Sequence, residues 1–293
     1  MKREIGLFER LFDAGIYAVL IFLVVVTLYP LLYVLFASFS EAGQLIIHKG
    51  ILWKPLGFSF EAYKSVMNNP GILIGYRNTL FIVFAGLAVN LVMTALGAYV
   101  LSRKNVLWNN SFMVFIVFTM FFHGGLIPLY LVVKGVGLLD SLWSTILPFA
   151  VGTFNLIIMR TAFMGIPDSL EESAKIDGAN HFTILFRIII PLSMPVIAVM
   201  ILYYAVDKWN GWFYASVFIK SRELFPLQLV LREILIANST DSMSAGASAG
   251  DRHQIGETIK YATIMVATVP ILCVYPFVQR FFVKGVMVGS LKG

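Results

Sequence analysis

A serine flanked by small residues, Gly246-Ala247-Ser248-Ala249-Gly250, has the spacing of a nucleophile elbow. That motif works only where a strand delivers the serine and a helix carries the chain away. Here it sits in 237–254, a run rich in Ser, Ala and Gly that reads as loop, so the sequence does not support catalysis. The glycine-rich phosphate cradle ending in Gly-Lys-Ser or Gly-Lys-Thr is missing, so this chain does not itself hydrolyse ATP. His, Cys and carboxylates are not grouped at metal-ligand spacing. The remaining ligand chemistry is the mixture Tyr203, Tyr204, Asp207, Trp209, Asn210 and Trp212. Sugars present apolar faces that stack on aromatic rings and hydroxyls that pair with Asn, Asp or Tyr. An aromatic belt at a membrane surface would use the same residues. His123, at the end of an apolar run, reads as hydrogen-bonded packing rather than a ligand.

The elements that must position these residues are membrane helices. Of 293 residues, 59% are hydrophobic and 13% charged, against about 25% charged in soluble domains. The balance of +6 has no basic run to carry nucleic acid, and basic flanks are ordinary at membrane surfaces. Cys273 lies alone in an apolar run and reads as a small core residue. The basic start MKREIGLFER precedes an apolar stretch too long for a signal sequence, so it reads as a retained first span. Charge-free windows at 14–40, 78–102, 105–133, 141–159, 188–206 and 261–279 each reach the roughly 18 residues that cross the hydrocarbon core. Lys and Arg tie between the two sides, but those on one side hug span ends while the others spread over two long loops. Both termini are therefore expected in the cytoplasm, with 1–13 an N-terminal segment, 14–284 the six-span transmembrane domain, and 41–77, read as short helices and turns, and 207–260 as outer loops. In the second loop, 225–236 resembles an amphipathic surface helix.

The segment 167–195, PDSLEESAKIDGANHFTILFRIIIPLSMP, is a charged stretch between apolar runs and too short to be a domain. Pro167 suits a first helical turn, and Ser169 with Glu172 has capping-box spacing. Glu171 and Glu172 fall where the helix macrodipole favours negative charge. Gly178 tolerates the left-handed conformation that ends a helix, and Asn180 caps a second helix through Phe182, Leu185 and Phe186. The spacing predicts a short helix, a glycine corner and a longer helix entering the membrane. Small Ser173, Ala174 and Gly178 would let another protein approach; a connector lying on lipid headgroups is the alternative.

Glu172-Ser173-Ala174, then Gly178, then Ile188, Ile190 and Pro191 resemble the EAA loop of ATP-binding-cassette (ABC) importer permeases, departing at Ser173 and Ile190. Further stretches resemble the carbohydrate subgroup of that family, the smaller maltose-type and complex-polysaccharide permeases. These are Phe122-His123-Gly124-Gly125-Leu126-Ile127-Pro128, Gly135-Val136-Gly137-Leu138, Trp209-Asn210, Pro226-Leu227-Gln228 and the ending from Lys284 to Gly293. The resemblance covers almost the whole chain. It implies an all-α integral membrane protein of the type I ABC importer permease fold, with six transmembrane helices and a cytoplasmic coupling helix in the loop 165–191.

On that resemblance Glu171, Glu172, Ser173, Ala174, Asp177, Gly178 and Pro191 form the coupling site for a separate ATPase subunit. The tail 285–293, through Gly285, Gly289, Lys292 and Gly293, would reach between two such ATPases. The implied partners are a second homologous permease, two ATP-binding-cassette subunits, an extracytoplasmic solute-binding protein, the lipid bilayer and an oligosaccharide. Relatives of the subgroup handle acidic ones, including alginate and pectin fragments. No cofactor is expected on this chain; ATP and Mg would sit in the partner subunits, and the location would be the cytoplasmic membrane of a bacterium. A secondary transporter or channel is the rival reading, but it would normally place charged residues inside its spans, and the six windows hold no Asp, Glu, Lys or Arg.

Overall fold

The structure, a computed structural model, describes residues 7–244, 258–273 and 276. The helices in chain order are α1 (Leu7–Ser38), α2 (Ala42–Ile47), α3 (Glu61–Met67), α4 (Pro70–Ser102), α5 (Asn109–Phe121), α6 (Leu126–Gly135), α7 (Thr153–Met164) and α8 (Asp168–Ile176). They continue with α9 (His181–Leu192), α10 (Met194–Asn210), α11 (Phe213–Phe218), α12 (Leu227–Ser244) and α13 (Thr258–Cys273). Two 3₁₀ turns, Leu142–Thr145 and Leu147–Phe149, precede α7. Among the described residues there is no strand, only an isolated bridge between Ser40 and Phe58.

The chain divides into two compact units, 1–69 with 231–269 and 70–230 with 270–293. In the first, α1 exposes Phe12, Ile16, Leu20, Phe22 and Val25 along its length. Such a face suits a helix solvated by lipid or by other apolar helices. Its end is tied down locally. The Ser40 hydroxyl donates to Phe36 O at 2.7 Å and accepts from Leu56 N at 3.0 Å. Ala37, Leu45 and Leu52 make a small core, joined by Tyr33 and Tyr261.

In the second unit the core lies among α4, α7, α9 and α10, with Ala98, Met159, Phe163, Ile184 and Met200 essentially inaccessible. Helix α4 runs unbroken, whereas three of the windows expected to be single spans are broken. The window 105–133 becomes α5 and α6, bent by 114° at 122–125, where Gly125 has φ +87°. The window 141–159 opens with the two 3₁₀ turns, which meet α7 at 49°. In the last, α9 and α10 meet at 87° around buried Ser193, next to Pro195. Within α9 the turn Leu185–Ile189 widens to a π turn. Pro191 explains it, since its ring clashes with a carbonyl four residues back and its missing N–H removes the bond that would hold an α turn there.

Breaks and turns free backbone carbonyls, and two asparagines on α4 collect some of them. Asn90 Nδ2 donates to Phe149 O (2.6 Å) and Ala150 O (2.9 Å), and Asn78 Nδ2 to Glu223 O (2.8 Å) and Phe225 O (3.1 Å). Both asparagines are buried, so charge-free windows concealed polar side chains that make the broken helices tolerable away from water.

Three local expectations need correction. Residues 237–244 continue α12 rather than forming loop, because neither Gly nor Pro interrupts 227–245. The short helices and turns expected in 41–77 are present as α2, α3 and the start of α4, and the helix expected over 225–236 lies within α12. Cys273 is exposed at the last described residue of α13, not packed in a core. His123 is exposed in the α5–α6 bend, where the backbone turns away from any helix face that could bury it.

A second kind of tie joins the turn after α6 to the end of α11. Asp140, itself at φ +55°, accepts from Lys220 N (2.9 Å) and Ser221 N (2.8 Å) through Oδ1, and from the Ser221 hydroxyl (2.6 Å) through Oδ2. The Ser221 side chain and the two amides hold its carboxyl below the ordinary value. A depressed folded-state value contributes stability that is present at neutral pH and lost as pH falls through it. Asn tolerates the left-handed conformation, so Asp140→Asn isolates the charge. Thermal melts of the detergent-solubilised protein between neutral pH and pH about 3 should show a shallower acid decline for Asp140→Asn than for the wild type.

Candidate functional site

Helix α8 begins at Asp168, with Pro167 at the N-cap (φ −58°, ψ 132°) and no side-chain cap. The capping box expected from Ser169 and Glu172 therefore does not form. Asp168 instead meets Lys104 at 2.7 Å in solvent, a bond that lowers the carboxyl's pKa and raises the amine's. At the other end Gly178 has φ +81°, its N–H bonds Lys175 O at 3.0 Å, and Ala179 N bonds Ala174 O at 2.9 Å. Asn180 Oδ1 accepts from Thr183 N at 2.8 Å and starts α9. The result is a short helix, a left-handed glycine corner and a capped second helix.

Glu171 and Glu172 are neighbours with opposite surroundings. Glu172 is exposed, while Glu171 is buried against the end of α4, where it pairs with Arg103, and with Lys175 one turn along α8 at 2.9 Å. Arg103 is clasped in turn. Its Nη2 donates to Ser102 Oγ (3.0 Å) and Phe163 O (3.3 Å), and its guanidinium lies 5.0 Å from the Tyr99 ring centre. The Tyr99 hydroxyl shares a 3.0 Å hydrogen bond with His181 Nδ1 at the start of α9. Burial pushes the Glu171 carboxyl up, but Lys175 and Arg103 together outweigh it and hold the group below its ordinary value. The carbonyls at the end of α4 are capped by side chains too, Leu101 O by Asn109 and Arg160, and Arg103 O by Asn109. Helices α4, α7, α8 and α9 are thus bolted together at one corner.

Around that corner Ser173 and Asp177 are exposed and Ala174 is buried. Pro191 lies further on, exposed on α9 beyond the π turn. Sequence reading misses Ile176, which is 87% exposed on a mostly polar helix. Its signal is an isolated aliphatic side chain between Lys175 and Asp177. Sequence reading also misses Arg103, which by position is only a charge at a span end. Gly285, Gly289, Lys292 and Gly293 lie outside the described residues, as does Gly246-Ala247-Ser248-Ala249-Gly250.

The six residues expected to meet sugar are only partly brought together. Asp207, Asn210 and Trp212 line a cavity of about 380 Å³. Tyr204 is buried; its hydroxyl accepts from Gly152 N (3.1 Å) and shares a bond with Thr94 (2.7 Å), which ties α10 to α4 and α7. Tyr203 is partly exposed, and Trp209 meets the Tyr76 ring edge-on at 6.2 Å.

Residues 93–288 match the family described as binding-protein-dependent transport system inner membrane component. The chain belongs to that family. Over 292 residues it is 42% identical to the polygalacturonan/rhamnogalacturonan transport system permease protein YtcP of Bacillus subtilis, covering 97% of this chain and 99% of that one. It is also 42% identical to protein LplC of the same organism, covering 92% and 90%. Among solved structures, a chain of a bacterial ABC transporter involved in the import of the acidic polysaccharide alginate superposes with a TM-score of 0.86. It is 31% identical, with 94% of this chain and 98% of that one covered. The fold is that of an ABC importer permease, and the chain is a membrane permease rather than an enzyme.

Proposed function

We propose that this chain is one of two permease subunits of an ATP-driven, binding-protein-dependent importer for oligosaccharides, acidic ones included. The observation that carries the reading is the corner at α8. The helix bares an aliphatic side chain, Ile176, beside a left-handed glycine, with Leu170 partly exposed earlier along it, while its root is held to α4 by Glu171 and Arg103. A projecting apolar knob on a braced helix suits insertion into a cleft of another protein, here the ATPase, placing α8 in the cytoplasm. Six spans result if α1 and α4 cross alone, the three bent pairs cross once each, and α13 supplies the sixth, leaving both termini cytoplasmic. ATP and Mg belong to two partner ATPases, an extracytoplasmic solute-binding protein delivers the sugar, and a second homologous permease completes the path in the bacterial cytoplasmic membrane. The family's description supports the binding protein, and the relatives named for polygalacturonan and alginate support an acidic oligosaccharide.

Proteoliposomes carrying the complete complex provide the test, with trigalacturonate as the sugar. Uptake should require both ATP and the binding protein; uptake driven by an ion gradient without ATP would favour a secondary transporter instead. Ile176→Asp should cut the amount of ATPase co-purifying with the permease by at least tenfold, since placing a charge in an apolar contact costs about 2 kcal/mol or more. Unchanged co-purification would remove Ile176 from the docking surface.

A further inference from the structure

Lys208 is a buried cation for which the coupling site has no use. It is 6% exposed, although it stands only two residues from the end of α10. The site is built around it. Gly86 on α4 leaves room for the aliphatic stem: a Cβ there would come within 3.3–3.4 Å of Lys208 Cγ, Cδ and Cε. The ammonium donates to Thr145 O at 3.1 Å and lies 5.5 Å from the centre of the Phe149 ring. Among the described residues no carboxylate forms an ion pair with it. A buried ammonium with three donors, one backbone acceptor and a carboxylate, Asp207, acting on it only from beyond ion-pair distance is costly unless an anion completes it.

Lys208 lines the same 380 Å³ cavity as Asp207, Asn210, Trp212 and Tyr214, as do Thr145 and Phe149, which its ammonium meets; the volume is within the usual range for small-ligand sites. Trp212, Phe213 and Tyr214 form a run of ring contacts, with centroids 5.7 and 5.3 Å apart, and Phe149 adds a fourth ring 4.4 Å from Tyr214. An aromatic wall binds a sugar's apolar face, Asn210 can donate to or accept from hydroxyls, the exposed Asp207 can accept from them, and a buried cation reads a carboxylate. We propose that this cavity is a uronate subsite in which Lys208 pairs with the sugar's carboxylate and so selects acidic over neutral units. This rests on the importer reading above and names the group through which charge is recognised.

Binding is measured on the assembled complex without its solute-binding protein, from tryptophan fluorescence, using trigalacturonate and its carboxyl-reduced, neutral counterpart as probes. The wild type should bind the acidic trisaccharide at least tenfold more tightly than the neutral one, with the response weakened in Trp212→Phe. Lys208→Gln should erase that preference, bringing the two probes to similar affinity, and Lys208→Arg should keep most of it. Equal affinity of the wild type for both probes, or no response to either, overturns the subsite and requires no variant to fold. A preference that survives Lys208→Gln also overturns it. If ATP-driven uptake of trigalacturonate persists in either case, the importer reading stands and only the assignment to Lys208 falls.

Discussion

Glu171→Ala should be the most damaging single change at the α8 corner, and more damaging than Glu172→Ala. Removing Glu171 leaves Arg103 a nearly buried cation without its main partner, and breaking a buried pair from one side costs about 3–5 kcal/mol. Lys175 also loses its contact, although that side chain is largely in solvent and adds little. Glu172 is exposed, so its removal should change the permease's own stability by no more than about 0.5 kcal/mol. Thermal melting of the solubilised chain reads the difference. A double replacement, Arg103→Met with Glu171→Met, should recover much of the loss, because an apolar pair of similar size replaces a buried ion pair at little cost. The Glu171 carboxyl is held below its ordinary value, so its contribution is intact at neutral pH and disappears as pH falls through that lowered value. Glu171→Ala melting no lower than Glu172→Ala would mean that α8 is not braced through Arg103.

The division of labour between the two glutamates marks how far the sequence can be read. Composition and spacing disclose the corner: Gly178 takes the left-handed conformation and Asn180 caps the next helix, because both are decisions made within four residues. Which glutamate turns inward is set by about 100° of helix rotation per residue and by where Arg103 arrives from a helix ending some seventy positions earlier. Local spacing carries no trace of that. The same limit explains the capping box, whose residues match the pattern while Asp168 finds Lys104 instead.

The broken spans have another cause. Windows of hydropathy register the absence of charge, and a bent pair is as uncharged as a straight helix. The hints are present at Gly124-Gly125 and at Pro191 and Pro195, but glycine and proline also occur inside intact membrane helices such as α1, which holds Pro30. What decides is whether another element can take up the freed carbonyls. Asn90 does so from α4 at the break before α7, and Asn78 does the same for the turn at 223–225, roles visible only once the fold sets them beside those carbonyls. Lys208 likewise reads as a charge in an outer loop, because nothing near it in sequence shows Gly86 making room for its stem.

Gly178 permits a test that separates folding from force transmission. At φ +81° an alanine is strained by about 1–2 kcal/mol, yet a Cβ there would meet nothing within 4 Å in this chain. Gly178→Ala should therefore insert and assemble with a modest loss of stability. Proline cannot adopt that φ, and it also deletes the N–H that closes onto Lys175 O. The α8 corner must then open or re-aim, while the core around Phe163 and Met200 is untouched. Gly178→Pro is expected to leave membrane insertion intact and to lower sugar imported per ATP hydrolysed by at least tenfold in proteoliposomes, with Gly178→Ala intermediate. A rigid lever demands this outcome, since a domain motion in the motor reaches the spans only through a corner of fixed angle. Normal accumulation by the proline variant would mean that the motion enters the permease by another contact.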